Sequence, residues 1–247
     1  MPFTFLAHQA PVLPLALVWP RRFDALALCI GSMAPDFAYV AAGTRFAFAT
    51  HSAWGLVWFC LPFTLIVSAL VRRAAPTLIV HLPLPAALRL GAARLLAPAP
   101  PLHRTLVGAA LGAATHIVLD AFTHRRGFGV KALPPLADVP IVLFGRPVPY
   151  YSLLQGPGSL VLAVLAALAL RALSRKHPVP AALPPPPPES RRTFNYLLII
   201  GLFLTCTLTL ALYPAGGLPA LILRLATFTF LTLVLAARAA ESSHPQP

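Results

Sequence analysis

The sequence predicts an all-α, multi-pass transmembrane bundle of about five spanning helices, preceded by short N-terminal helices that dip into the membrane. Three observations carry that prediction. Hydrophobic residues make up 58% of the 247-residue chain and charged residues 10%, where soluble domains carry about 25% charged residues. Three stretches, Phe46–Val71, Pro147–Leu170 and Thr193–Leu223, contain no Asp, Glu, Lys or Arg. At about 1.5 Å of rise per helical residue, each can cross a hydrocarbon core of about 30 Å. The mean hydropathy of +0.78 agrees.

Taken in order, Met1–Thr50 is broken by Pro11, Pro14, Pro20 and Pro35, with Arg21, Arg22 and Asp24 between the apolar runs. Short dipping helices fit that punctuation better than clean crossings. The first basic residue, Arg21, follows the apolar stretch Val12–Val18 rather than preceding it, so the start does not read as an ordinary signal peptide. Spans are expected at Ser52–Val71, Arg104–His124, Gly158–Leu173, Asn195–Tyr213 and Leu218–Ala237. Pro62 should kink the first. A Pro-rich amphipathic connection between Arg73 and Arg104 should rest at the interface. Pro214-Ala215-Gly216-Gly217 is a turn signal that folds the last two spans into a hairpin. Arg224, inside the last span, is expected to snorkel towards the nearer interface. The run Pro178–Pro188 reads as a stiff polyproline II linker. The predicted organisation is therefore a membrane core over residues 1–175, a linker over 176–193, a hairpin over 194–240 and a tail over 241–247.

The formal charge of +13, from 19 basic and 6 acidic residues, does not point to nucleic acid, because the aromatic–basic interleaving of such modules is missing. The basic residues sit between apolar runs as Arg72-Arg73, Arg125-Arg126, Arg175-Lys176 and Arg191-Arg192. That is the pattern of topology-setting loops beside anionic lipid, so membrane lipids are the expected partners. Cys29, Cys60 and Cys206 stand singly in apolar sequence and read as small hydrophobes rather than a zinc knot or redox pair.

Chemistry concentrates in Thr115–His124. His116, Asp120 and His124 are spaced by four, and each such step advances about 40° around a helix, so the three share one stripe. A carboxylate inside a span needs a partner or a cation, and imidazoles one turn away supply the donors a divalent metal takes. A hydrogen-bonded Asp–His pair that locks the bundle is the alternative. His8, Asp36 and His51 are further candidates at the edges of apolar segments, raised by scarcity. The chain has four Asp and two Glu, and Asp36 and Asp120 are the two embedded in apolar sequence. His81, His103, His177 and His244 are placed in loops or the tail and given no role.

Met1-Pro2-Phe3-Thr4-Phe5 with His8, Ile30–Phe37 (IGSMAPDF), His51-Ser52, His116-x-x-x-Asp120-x-Phe122-Thr123-His124 and Val148–Gln155 together resemble a bacterial multi-pass membrane family, domain of unknown function 4184. The resemblance covers about the first 170 residues and leaves the linker and hairpin outside. That family in turn is similar to membrane-bound metal-dependent hydrolases, whose pattern is a leading His, a Pro-Asp-x-Asp element, a Thr-His-Ser element and a His-x-x-x-Asp-x-x-Thr element. The resemblance implies metal-ligand roles for His8, Asp36, His51, His116 and Asp120, with His124 added by the helical stripe. It further implies one or two Zn²⁺ or Mn²⁺ ions that activate water against a phosphoester or ester, with Asp36 or Asp120 as general base. The bacterial cytoplasmic (inner) membrane is the implied location. This chain departs at Ala38, where the hydrolases carry a second acidic residue.

Three functions are thus in play: a membrane-embedded metal-dependent hydrolase acting on a lipid-linked or membrane-proximal substrate; a non-catalytic membrane protein whose His/Asp cluster binds a structural metal or stabilises the bundle; and a carrier using Asp120 as a coupling site. The carrier has least support, because no internal repeat or recurring pair of broken helices is visible.

Overall fold

The computed structural model describes residues 4–82, 99–176, 186–213 and 215–242. It is an all-α membrane-type protein, as the composition predicts. Four short helices open the chain: α1 Thr4–Ala7, α2 Val12–Val18, α3 Ala25–Gly31 and α4 Ala34–Phe37, followed by a 3₁₀ turn over Ala38–Ala41. Among the described residues, five spans are long and apolar enough to cross a membrane: α5 Ala53–His81, α6 Leu102–Thr123, the pair α9 Tyr150–Gln155 and α10 Pro157–Lys176, α11 Pro188–Ala211 and α12 Gly217–Ser242. Between α6 and α9 lie the short helices α7 Phe128–Ala132 and α8 Pro135–Asp138 and a hairpin of β1 Pro140–Leu143 with β2 Arg146–Pro149. The spans leave much of their apolar surface open, with Trp54, Ile66, Phe203 and Leu235 all more than 60% exposed. Such continuous apolar surface suits lipid as the solvent.

Helix α5 differs from the expected span in two ways. Its fourth to eighth residues, Leu56–Cys60, form a π turn just before Pro62. Proline offers no N–H to the preceding turn, and a π turn absorbs that missing bond. The helix also continues to His81, well past Val71. His81, expected in a loop, closes this helix: its Nδ1 meets the Thr77 carbonyl at 2.8 Å and its Nε2 meets the Ser190 hydroxyl at 3.1 Å. Arg89, Arg94 and most of the Pro-rich linker lie outside the described residues; the helix α11 already begins at Pro188.

The chain forms two compact units with interleaved segments. The first takes Met1–Pro35, Thr50–Thr64 and Leu102–Leu170; the second takes Asp36–Ala49, Leu65–Pro101 and Arg171–Pro247.

In the first unit, α3 lies backbone-close against α6. A Cβ on Gly112 would collide with the Leu28 carbonyl, and one on Gly31 with the Ala109 carbonyl. Gly108 and Gly112 form a small-xxx-small face, the device by which helices pack tightly without a hydrophobic drive from water. Asp24 fixes the start of α3. Its carboxylate accepts from the backbone of Leu26 and Ala27 and from the Thr105 hydroxyl at 2.9 Å, which ties the N-cap of α3 to the first turn of α6.

In the second unit, α11 and α12 form the expected antiparallel hairpin, with Phe194, Val234, Ala236, Ala237 and Ala240 in its core beside Ala74. Arg224 corrects the snorkelling expectation. It is fully buried, donating from Nε to the Val40 carbonyl, from one terminal nitrogen to Leu212 and Ala215, and from the other to Ala42, at 2.6–2.9 Å. Those carbonyls belong to the end of α11, the hairpin turn and the 3₁₀ segment, where helical partners run out. In a membrane they must be paired inside the protein, and one planar guanidinium serves all four.

Arg224→Met is expected to remove the donors of these half-buried carbonyls, at up to about 1–3 kcal/mol for each left unpaired, lowering the thermal midpoint of the detergent-solubilised protein by several degrees; a midpoint equal to the native one would refute the staple. Gly112→Leu is expected to be at least as disruptive, because its neighbour is backbone and cannot rotate away. Unchanged stability in a melting assay would show that the α3–α6 contact is not close.

Candidate metal centre

The stripe Gly108, Gly112, His116, Asp120, His124 runs along one face of α6 and past its end at four-residue spacing. Its lower half admits α3, and its upper half carries the polar cluster. Asp120 is the hub, its side chain 16% exposed. One carboxylate oxygen, Oδ2, faces His51 Nε2 at 3.3 Å and His116 Nε2 at 3.4 Å. The other, Oδ1, faces His8 Nε2 and His124 Nδ1, each at 3.5 Å. Four imidazoles from three stretches of sequence thus surround one carboxylate.

The backbone around the cluster decides which ring nitrogens carry protons. His116 is fully buried and its Nδ1 sits 2.8 Å from the Ser32 carbonyl, which only accepts. Nδ1 therefore holds the hydrogen, and Nε2 of the neutral ring turns a lone pair towards Asp120. His51 follows the same logic. The Thr50 hydroxyl donates to the Pro35 carbonyl at 2.6 Å, so it accepts from His51 Nδ1 at 3.4 Å, and His51 Nε2 is again a lone pair. The two Nε2 atoms are 3.2 Å apart. Two imidazole lone pairs and a carboxylate oxygen converge.

That triangle matches a metal's coordination shell. A tetrahedral ion with ligand bonds of about 2.0–2.1 Å has ligand–ligand edges of about 3.3–3.4 Å. The edges here are 3.2, 3.3 and 3.4 Å. The Nδ1–H bonds to a carbonyl and a hydroxyl are the outer-shell contacts that orient metal-binding histidines. His51, His116 and Asp120 therefore form a group that can hold a metal ion.

The remaining expected residues fall at differing distances from that triangle. His8 is buried, stacks on His116 with ring centroids 3.8 Å apart, and addresses the opposite carboxylate oxygen. His124 lies beside Oδ1, but its ring is already bonded on both sides: Nδ1 to the Thr123 hydroxyl and Nε2 to Gln155 Nε2, each at 3.1 Å. The Thr123 hydroxyl donates to the Leu119 carbonyl, so it takes the hydrogen of His124 Nδ1. In this arrangement the Nδ1 hydrogen of His124 is taken by Thr123, so His124 turns no lone pair towards Asp120. Asp36 sits on α4 as the first residue of the second unit, one peptide bond beyond Pro35.

Ser32, Thr50, Thr123 and Gln155 are the supporting residues that reading the sequence for ligands missed. Gln155 did leave a signal, as the lone amide in the apolar stretch Pro147–Leu170. Ser32 and Thr123 fall inside motifs quoted above and Thr50 matches the Thr of the Thr-His-Ser element, but nothing in the sequence marked their hydrogen-bonding roles. Gln9 belongs with them: its amide donates to the Ser32 hydroxyl at 2.9 Å and the Cys29 carbonyl at 3.2 Å, holding the end of α3 beside His8.

No curated protein and no solved structure matches the chain. A family model does, over residues 1–241, which carries the similarity through the linker and the C-terminal hairpin that the motif comparison had left outside. The chain belongs to the family described as domain of unknown function 4184.

Proposed function

We propose that the chain is a membrane-embedded, metal-dependent hydrolase acting on a lipid-linked or membrane-proximal phosphoester or ester, in the bacterial cytoplasmic membrane. The observation that carries this reading is the convergence of two imidazole lone pairs and a carboxylate oxygen at tetrahedral edge lengths, beside the end of a membrane-spanning helix. When bound, Zn²⁺ or Mn²⁺ supplies Lewis acidity and lowers the pKa of water. His51, His116 and Asp120 meet at 3.2–3.4 Å and are the proposed ligands, and His8 serves the second carboxylate oxygen, which leaves room for one ion or two. Asp120, with an imidazole pair at each oxygen, acts as a ligand. Asp36 is then the further ligand or the general base. Support for Asp36 comes from its neighbour, since the Pro35 carbonyl is held by Thr50, the residue before His51. His124 stands beside Asp120 as a positioned neighbour, its ring held by Thr123 and Gln155.

A second reading is favoured by one residue. Position 38, acidic in the hydrolases this family resembles, is a buried alanine. A site without that carboxylate can bind metal for stability alone.

Purified protein is expected to carry about one or two transition-metal ions. His116→Ala and Asp120→Ala should each lose most of that metal, and His103→Ala none. Elemental analysis of the three variants beside the native protein decides this, and stoichiometric metal surviving in both core variants would overturn the site. Activity is a separate matter. Metal-replete protein in mixed micelles is expected to cleave a phosphoester or ester in a chelator-sensitive way, and Asp36→Asn should lower the rate about a hundredfold if Asp36 is the base. A broad substrate screen without turnover, with metal bound, would give the structural reading the site.

A further inference from the structure

A cavity of about 540 Å³ opens in the first unit, between the end of α6 and the first turn of α9. Its polar lining is Arg125, Lys131, Asp138 and Tyr151, set over an apolar floor that includes Val130 and Pro149. The volume suits a small ligand or a lipid headgroup. Among the described residues, Arg125, Lys131 and Asp138 take part in no ion pair, although all three face the same space. Two cations and one anion that line a cavity without pairing leave their charges available to an occupant.

The cavity adjoins the metal centre through two shared elements. Arg125 directly follows His124, and Tyr151 stands one helical turn before Gln155 on α9. Residues four apart share a helix face, so one side of α9 presents Tyr151 to the cavity and Gln155 to His124. The cavity also lies at a membrane boundary, because the spans Leu102–Thr123 and Tyr150–Leu173 flank the segment that builds it. That segment carries an apolar tip. In the β1–β2 hairpin Phe144 is fully exposed and Val142 is 68% exposed. Phe144 and Gly145 both have positive φ, at 51° and 75°, as a tight hairpin turn demands. An exposed aromatic tip next to Arg146, at the edge of two spans, matches the belt in which aromatic and basic side chains meet headgroups.

From these observations we infer that the cavity is the headgroup subsite for a phospholipid carrying a singly charged phosphodiester. Arg125 and Lys131 take the phosphate oxygens; Asp138 and the Tyr151 hydroxyl take a hydroxyl of the headgroup substituent; the acyl chains run beside Val142 and Phe144. The lining's net charge of one positive unit, from Arg125 and Lys131 against Asp138, matches one phosphodiester charge. The inference deepens the proposed function, and rests on its reading of a site at the membrane boundary, by naming the substrate class and the place where the headgroup is held.

The test is binding, measured on the full detergent-solubilised chain by native mass spectrometry with short-chain phosphatidylglycerol. The matching diacylglycerol and inorganic phosphate serve as the other arms. Phosphatidylglycerol should bind, and Arg125→Gln and Lys131→Gln should each weaken it about tenfold, the loss expected for one charge-assisted hydrogen bond. Arg126→Gln, which alters a neighbouring exposed cation outside the lining, should leave binding unchanged. Equal weakening by Arg126→Gln would reduce the effect to diffuse surface charge and overturn the subsite. Diacylglycerol or inorganic phosphate binding as tightly as the phospholipid would overturn it as well, in favour of a chain groove or a free-anion site. Asp120→Ala should keep the binding, so a failed headgroup site and a failed hydrolase remain distinguishable.

Discussion

The arrangement depends on one carboxylate, Asp120, placed inside a membrane-spanning helix. An ionised group there is costly unless it is paired or coordinated, and its neighbourhood is built to meet that cost. His8 comes from beyond α1, His51 from the approach to α5, His116 from α6 and His124 from just past its end; all four reach its two oxygens at 3.3–3.5 Å. Each histidine commits a stretch of backbone to a particular position. The N-terminal helices, the start of α5 and the end of α6 are therefore fixed relative to one another by a single side chain as well as by packing.

What lets those stretches approach is the absence of side chains two turns away. Gly108 and Gly112 continue the four-residue stripe of His116 and Asp120 down the same face of α6, and α3 occupies the groove they leave. The close approach brings the Ser32 carbonyl, just past the end of α3, to His116 Nδ1. That contact selects the tautomer whose Nε2 lone pair turns towards Asp120. A packing feature in the membrane interior thus sets the protonation pattern of a polar site at its edge. The same helix face does both, which explains why metal-type residues follow small residues along it at one four-residue period.

The spans were legible because hydrocarbon admits little but apolar sequence, so charge-free runs of sufficient length have few other uses. The metal-type residues were legible because acidic residues are so scarce here that an embedded Asp stands out. What escaped depends on partners far away in sequence. Arg224 could be seen as a cation in a span, but its acceptors include Val40 and Ala42, more than 180 residues earlier. No local pattern announces backbone carbonyls as partners, and snorkelling was the natural expectation for a cation without a carboxylate. The extension of α5 to His81 escaped for a different reason. Arg72 and Arg73 marked the end of the apolar run, but a helix can leave hydrocarbon and continue in the headgroup layer. The roles of Ser32 and Thr50 were hidden because hydroxyl residues are ordinary at helix ends and their part lies in hydrogen-bond geometry.

Arg224 and Asp120 then show two different solutions to the same physical problem. The guanidinium of Arg224 is matched by four carbonyl oxygens, acceptors that need its hydrogens and carry no hydrogen of their own. Donors and acceptors balance, and the arrangement is closed. Around Asp120 Oδ2 the balance fails. The hydrogens of His51 and His116 are spent on Thr50 and Ser32, so two ring lone pairs face a carboxylate oxygen across 3.3–3.4 Å. Three acceptors facing one another repel unless positive charge sits among them. A proton added to either ring would join that ring to Asp120, but it would leave the second lone pair facing an acceptor. A divalent cation at the centre satisfies all three at once, and their spacing is that of its coordination shell. The contrast between a closed set of hydrogen bonds and a set of acceptors that could hold a cation is what separates Arg224 from Asp120 in this membrane protein.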